Sequence, residues 1–350
     1  MAPGSIAPGS IAPGAHTKAA PQLARRRTVT SVLLALVLAA IATSLCVGDS
    51  FVSMPNVVKV LTGHFVPGAS FVINELRLPR VINAALVGVA FGISGTVFQT
   101  LLRNVLASPD VIGVTAGASA SAVFAITILG ASGALISGLA LTGALIAAGG
   151  MYALAYRGGL SGYRLVLIGL GIAALLQAVV AYLLTRATMT DVQSSLIWLT
   201  GSLNSSLWNQ VPMLAGSIIV LVPLALLLAR PLSVLQLGDD SASGLGVSTE
   251  KTRLALILVA VALAAVATAA AGPVGFVALL SGPLAKRLTK APGGALIPSA
   301  LVGALIVLVS DFAGQHLLGV RLPVGIVTGA IGAPYLLFLL ATSNKRGANA

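Results

Sequence analysis

Ten apolar runs, parted by short polar or Pro- and Gly-containing breaks, take up most of this chain: 29–47, 80–101, 111–130, 132–153, 165–185, 211–229, 254–272, 275–288, 296–312 and 323–341. About 20 apolar residues in helical form cross a hydrocarbon core, and inside that core every lipid-facing backbone polar group must be paired internally. The pattern dictates an all-α fold, a polytopic transmembrane helical bundle of about ten spans. The eighth run is too short to cross a bilayer upright and reads as a half-helix or a tilted segment among neighbours. Charged residues make up 8% of the chain, against about 25% in a soluble domain, which excludes a water-facing globule. The pairs Gly88/Gly92, Gly113/Gly117 and Gly325/Gly329 have the small-xxx-small spacing that suits close helix packing.

Ten crossings put both termini on one side. That side then carries fifteen of the twenty Lys and Arg, leaving Lys59, Arg77, Arg80, Arg186 and Arg321 for the other. Cytoplasmic loops collect positive charge, so both termini are expected in the cytoplasm, and dropping one span would spoil the asymmetry. The net charge of +12 is thus a topology signal. It does not mark a nucleic-acid surface, because the basic residues lie between apolar runs and not among aromatics on a polar face. Residues 1–28, which open on MAPGSIAPGSIAPG, are expected to form a disordered tail. A single membrane domain follows over 29–343, with a short tail over 344–350. Arg25, Arg26 and Arg27 before an apolar run also match a signal peptide. The run is longer than a typical signal core and lacks a convincing small-x-small site, so it reads as the first span. Cys46 is the single cysteine, which excludes an intrachain disulfide and a cysteine metal cluster.

What would drive transport through such a bundle can also be read. A charge at the centre of a span costs about 2.5–3.5 kcal/mol on insertion scales, so ion-coupled carriers keep such residues for function. All eight acids here (Asp49, Glu75, Asp110, Asp191, Asp239, Asp240, Glu250 and Asp311) fall at run ends or in loops, and no His sits mid-run. An ion-coupled secondary carrier is therefore the alternative, resting on Asp311 at the mouth of the ninth run. No G-x-x-x-x-G-K-[ST] phosphate loop is present, so ATP hydrolysis by that chemistry belongs elsewhere. No metal-ligand or nucleophile–base constellation is visible, and the chain reads as a non-enzyme that binds no cofactor itself.

Four stretches are more specific. They are 77–117 (RLPRVINAALVGVAFGISGTVFQTLLRNVLASPDVIGVTAG), 237–247 (LGDDSASGLGV), 272–280 (GPVGFVALL) and 322–334 (LPVGIVTGAIGAP). In this order they resemble the permease subunits of the bacterial iron–siderophore and cobalamin ATP-driven (ABC) importers, over about residues 70–341. The wording is nearest to ferric-enterobactin-type permeases. Two departures stand out: Val105 replaces a common Pro, and Ser281-Gly282-Pro283-Leu284 lacks the usual His or Gln.

Arg77 and Arg80 flank Pro79 at a helix start. Cations there oppose the helix dipole, and these lie on the side where arginines are avoided. Carboxylates of a partner protein would justify both; snorkelling to headgroups also fits. The resemblance implies that both dock an extracytoplasmic binding protein, with Arg321 as a possible substitute for a further docking arginine. The loop at about 231–253 reads as a short helix capped by Asp239 or Asp240, or as a plain solvated connector. The resemblance makes it a coupling element for separate ATPase subunits, through Leu237, Gly238, Asp239, Ala242, Leu245, Gly246 and Val247. Asn83, Ser94, Thr96, Gln99 and Gln177 are candidates for lining a translocation path, and each also fits a role in satisfying a neighbouring helix. The implied protein is a siderophore-importer permease in the bacterial inner (plasma) membrane, with cobalamin or haem as alternative cargo. It would work beside a second permease chain, identical or related, with ATP used by the partner ATPase.

Overall fold

The computed structural model describes residues 19–110, 112–156, 162–204, 206–290, 295–317 and 319–347, and every regular element among them is helical. The elements are α1 (Ala19–Cys46), α2 (Met54–Leu61), a π-helical turn (Val72–Arg77) leading into α3 (Leu78–Leu101), α4 (Val114–Thr127), α5 (Ala134–Ala155), α6 (Gly162–Arg186) and α7 (Met189–Leu199). Then come α8 (Val211–Leu227), α9 (Ala229–Leu235), α10 (Asp239–Gly244), α11 (Thr249–Ala271), α12 (Val277–Thr289), α13 (Leu296–His316) and α14 (Val324–Gly347). Each of the ten apolar runs falls on one helix. Among the described residues six helices are long and apolar enough to cross a membrane, and α8 with α9, bent by 45°, makes a seventh if the pair is one span. The bend follows Pro223, which removes a ladder hydrogen bond. The helices α4 and Val324–Phe338 are apolar but shorter, so ten is an approximate count.

Two boundaries move. The tail expected over 1–28 ends sooner, because α1 already begins at Ala19. Pro21 occupies its first turn, where a missing N–H costs little, and the following Ala and Arg are good helix formers. The 1–18 part of that tail lies outside the described residues. At the other end α14 runs on to Gly347, so residues 344–347 are helical.

The bundle is organised around α3, which packs against α8, α11, α12 and α13; α4, α5, α6 and α7 form an adjoining group held through α11. Burial follows this order. In its most apolar stretch the α3 span is 78% buried, against 22% for α1 and 17% for α6, which leaves those two helices facing outward. Glycine makes the tightest seam. Gly88 and Gly92 of α3 lie against the backbone of Gly303 and Ser299 of α13, and a Cβ at Gly88 would strike the Gly303 carbonyl. That pair meets the packing role expected of it. The pair Gly113/Gly117 does not form a helical stripe, since Gly113 sits at φ 87° in the turn before α4 and Gly117 alone packs on Gly143. In the third pair Gly325 abuts the Thr200 carbonyl, while Gly329 faces open space.

Candidate functional site

The two ends of α3 carry the two groups of residues singled out in the sequence. At its N-terminal end a recess of about 320 Å³ is bordered by α1, the π turn, α13 and residues Leu203, Asn204, Ser206 and Leu207, and its lining includes Arg77, Arg80, Asp311 and Arg321. The π turn inserts its extra residue immediately before α3. Arg77 then reaches back to the end of α1: Nη1 donates to the carbonyls of Leu45 at 2.8 Å and Cys46 at 3.3 Å, and Nη2 donates to the carbonyl of Ser50 at 2.5 Å. A cation on the last carbonyls of a helix is favoured by both hydrogen bonding and the dipole. The unfavourable end of α3 is thereby exchanged for the favourable end of α1.

Arg80 is occupied as well. Its Nε donates to Asp311 Oδ2 at 2.8 Å and its Nη2 to Asp311 Oδ1 at 2.7 Å, a two-pronged pair in which both side chains are largely covered. Gln315, one turn on, donates from Nε2 to Asp311 Oδ2 at 2.8 Å. Removing one member of a buried pair costs about 3–5 kcal/mol because the survivor stays charged and unpaired. Arg321 differs. Its Nη2 contacts both oxygens of Asp49 at 2.7–2.8 Å, but the side chains are 66% and 79% exposed. Such pairs contribute about 0–1 kcal/mol. Trp208 donates Nε1–H to the Asn74 carbonyl of the π turn at 2.6 Å.

At the other end of α3, Arg103 donates to the Leu235 carbonyl at 2.9 Å, tying the helix to α9. The single turn of α10 follows. Its N-cap is Gly238 at φ 110°, not an aspartate, which corrects the expected cap; Asp239 and Asp240 occupy the first turn instead. Asp239 pairs with Arg253 of α11 at 2.6 Å. The turn ends in a Schellman closure: Gly246, at φ 80°, donates to the Ser243 carbonyl, and Val247 donates to the Ala242 carbonyl at 3.0 Å. Ala242 is fully buried, whereas Leu237 and Leu245 are 65% and 64% exposed. The knob is thus anchored by one small residue and presents two leucines outward.

The five residues proposed for a path separate. Asn83, Ser94, Thr96 and Gln99 are buried on α3. Ser94 donates to the Ala260 carbonyl at 2.7 Å, Thr96 to the Gly92 carbonyl at 2.8 Å, and Gln99 to the Leu279 carbonyl at 2.8 Å. Ser94 and Gln99 thus bond neighbouring helices, and Thr96 bonds back within α3. The reason is position: α3 is surrounded, so these three side chains take backbone carbonyls as partners. Both side-chain polar atoms of Asn83 and the Oε1 of Gln99 have no hydrogen-bond partner among the described residues. Gly282, within the departing segment noted above, faces the Gln99 amide, which a Cβ there would meet. Gln177 lies exposed on α6. In the turn after α3, burial raises the Asp110 carboxyl to about 6, partly offset by a hydrogen bond with Thr115. Among the described residues no group of three His, Cys, Asp or Glu is placed to hold a metal ion.

Sequence reasoning missed the Arg80–Asp311 pair. Topology puts both residues at the same end of the bundle, but only packing makes the second and ninth runs neighbours.

With this geometry in hand, comparison with known proteins is decisive. The model of the FecCD transport family matches residues 35–342. The chain belongs to the FecCD transport family. This FecCD-family chain is 44% identical over 315 residues to the achromobactin transport system permease protein of Dickeya dadantii, covering 89% of this chain and 90% of that one. It is 38% identical over 327 residues to the ferric enterobactin transport system permease protein of Escherichia coli, covering 93% and 99%. A solved metal-chelate-type ABC transporter in an inward-facing conformation superposes with a TM-score of 0.81 at 27% identity, covering 90% of this chain and 99% of that one. The FecCD assignment makes the chain a multi-span transport protein and not an enzyme.

Proposed function

We propose that this protein is the permease subunit of an ATP-driven importer that carries ferric siderophores into a bacterial cell. The observation that carries the reading is the placement of a charged recess and an apolar knob at opposite ends of α3. A 24-residue helix separates its ends by about 36 Å, enough to span a bilayer. The recess faces outward and receives a siderophore-binding protein at the surface that holds Arg77, Arg80 and Arg321. The knob over 237–247 faces the cytoplasm, with both termini, and seats its exposed leucines in a separate ATPase subunit. Positive charge collects on the knob side, in keeping with that orientation. ATP binding and hydrolysis in the ATPase pair would move the knobs and switch access to the path.

A second permease chain completes the pathway. The outward face of α6, with Leu167, Leu170, Leu175 and Tyr182 exposed, supports this arrangement, and Gln177 lies on the same helix. Siderophore cargo is favoured by the names of the relatives, which carry achromobactin and ferric enterobactin. The alternative of an ion-coupled carrier is weakened by the structure of its one candidate residue: Asp311 is already neutralised by Arg80.

The test is uptake by the complete transporter in vesicles, with ferric enterobactin and ferric achromobactin offered separately. Uptake should stop when ATP is depleted and persist when the proton gradient is collapsed. The opposite pattern would overturn the proposal.

A further inference from the structure

Near its N-terminal end α1 carries a cationic notch that continues into a bare apolar stripe of the same helix. Resting on the orientation proposed above, with both termini in the cytoplasm, we propose that this notch binds the headgroup of an anionic phospholipid of the inner leaflet. An acyl chain of that lipid lies along the stripe.

Arg26, Arg27, Thr30 and Ser31 line the notch, which encloses about 330 Å³. Thr30 Oγ1 donates to the Arg26 carbonyl at 2.8 Å, so its proton is already used. Among the described residues neither arginine forms an ion pair. The surroundings supply no counter-charge: α1, α12 and α14 contain no Asp or Glu, and the one acid of α13, Asp311, lies near its other end. Two guanidiniums without carboxylates, beside a serine hydroxyl, suit a phosphate, which a guanidinium grips through parallel N–H bonds.

The rest of the helix face fits the rest of such a lipid. Arg27, Ser31, Leu34 and Leu38 follow one another at helical spacing and form one stripe. Leu34 and Leu38 are exposed, whereas Leu33 and Val37 beside them are buried. Leu33 packs with Ala285 of α12 and Val302 of α13, which turns the stripe away from the bundle. From Arg27 to Leu38 the helix rises about 16 Å, close to half of a hydrocarbon core about 30 Å thick. The stripe therefore has the reach of one leaflet. Its register is fixed from the other side, where Arg25 donates Nε–H to the Leu288 carbonyl in the last turn of α12 at 3.1 Å. Arg287 and Lys290 flank that carbonyl in sequence and add positive charge at the same level. A cationic head above an apolar track complements an anionic amphiphile, whereas a free anion would use the notch alone.

The experiment uses the full chain in mixed micelles with phosphatidylglycerol or phosphatidylcholine, and counts retained lipid by native mass spectrometry. The wild type should retain phosphatidylglycerol in preference. Changing Arg26→Gln and Arg27→Gln together should lower that retention about tenfold or more, while Lys59→Gln, on the exposed side of α2, should leave it unchanged. Glycerol phosphate, the headgroup without chains, should not compete. The track is read with Leu38→Trp: phosphatidylglycerol with brominated chains should quench its added fluorescence several-fold more than brominated phosphatidylcholine. That excess should vanish when both arginines are also changed. If the double arginine variant does not fold, the two-lipid comparison in Leu38→Trp decides by itself. Equal quenching by the two lipids, or unchanged retention in the double variant, would overturn the site. Competition by glycerol phosphate would leave an anion site only and overturn the lipid assignment. Orientation has its own readout. On a Cys46→Ser background, Thr28→Cys should react with a membrane-impermeant maleimide in inverted vesicles and not in intact cells. Reaction from outside the cell would overturn the orientation and the leaflet assigned here, whatever the lipid preference in micelles.

Discussion

At the N-terminal end of α3 the recess is built of charges, and most of them are turned inward: Arg80 onto Asp311, Arg77 onto the last carbonyls of α1. At the C-terminal end the knob reverses the arrangement. Its one fully buried contact is the methyl group of Ala242, and its leucines are turned outward. Both ends also hold an arginine–carboxylate pair within one chain, Arg80–Asp311 at the recess and Arg253–Asp239 at the knob, with nearly equal contact distances of 2.7 Å and 2.6 Å. Distance does not set their worth. Asp239 is 50% exposed and Asp311 9% exposed by side chain, so water screens the first pair and not the second. A close ion pair near the mouth of a membrane helix belongs to the fold when it is dry, and to the surface when it is wet.

That contrast can be broken first at its strongest point. Arg80→Gln should cost about 3–5 kcal/mol of stability, since Asp311 is left buried and unpaired, whereas Arg253→Gln should cost less than about 1 kcal/mol. Equal losses in thermal or denaturant melting of the solubilised protein would erase the distinction. Next in size, Ala242→Leu forces a larger side chain under the knob and should cost about 1–3 kcal/mol. Leu237→Asp and Leu245→Asp, which touch exposed positions, should stay within about 0.5 kcal/mol in melting while abolishing copurification of the ATPase subunit. Loss of stability without loss of the ATPase would reverse the roles assigned to anchor and leucines. At the π turn, Trp208→Phe removes the bond to the Asn74 carbonyl and should cost about 1 kcal/mol.

The smallest effect is a pH dependence near the knob end. The Asp110 carboxyl is raised from 3.8 to about 6 by burial in the folded chain. The folded state then holds its proton more tightly than the unfolded chain, so the native advantage is full below the unfolded value and shrinks as pH rises from about 4 to about 6. Asp110→Asn should remove that slope, and a slope unchanged in the variant would assign it to another group.

Much of the fold was legible because the bilayer imposes a simple rule on sequence. Apolar runs must be helices, and each of the ten runs is one. What the runs left out are the short helices α2, α7, α9 and α10, which no length rule announces. The site was legible in part. The knob appears as the string Leu237–Val247, since a local turn is written in consecutive residues, down to Gly246 at its closure. Its cap was misread because an aspartate and a glycine both suit that position, and only the backbone angle of Gly238 chose between them. Val105 stands exposed in the turn after α3, and nothing in the structure explains its replacement of the common proline.

By itself, then, the amino-acid order determined that the chain is a helical membrane bundle, roughly how many spans it has, and where its local turns fall. Each of these depends on residues close in sequence. Tertiary structure alone decided which charges are spent. Asp311 lies 231 positions from Arg80 and Asp49 lies 272 from Arg321, and nothing local states that α13 seats its end beside the start of α3. The choice follows from glycine-mediated contact between those two helices, which brings the carboxylate into reach and removes the water that would have made the pair expendable.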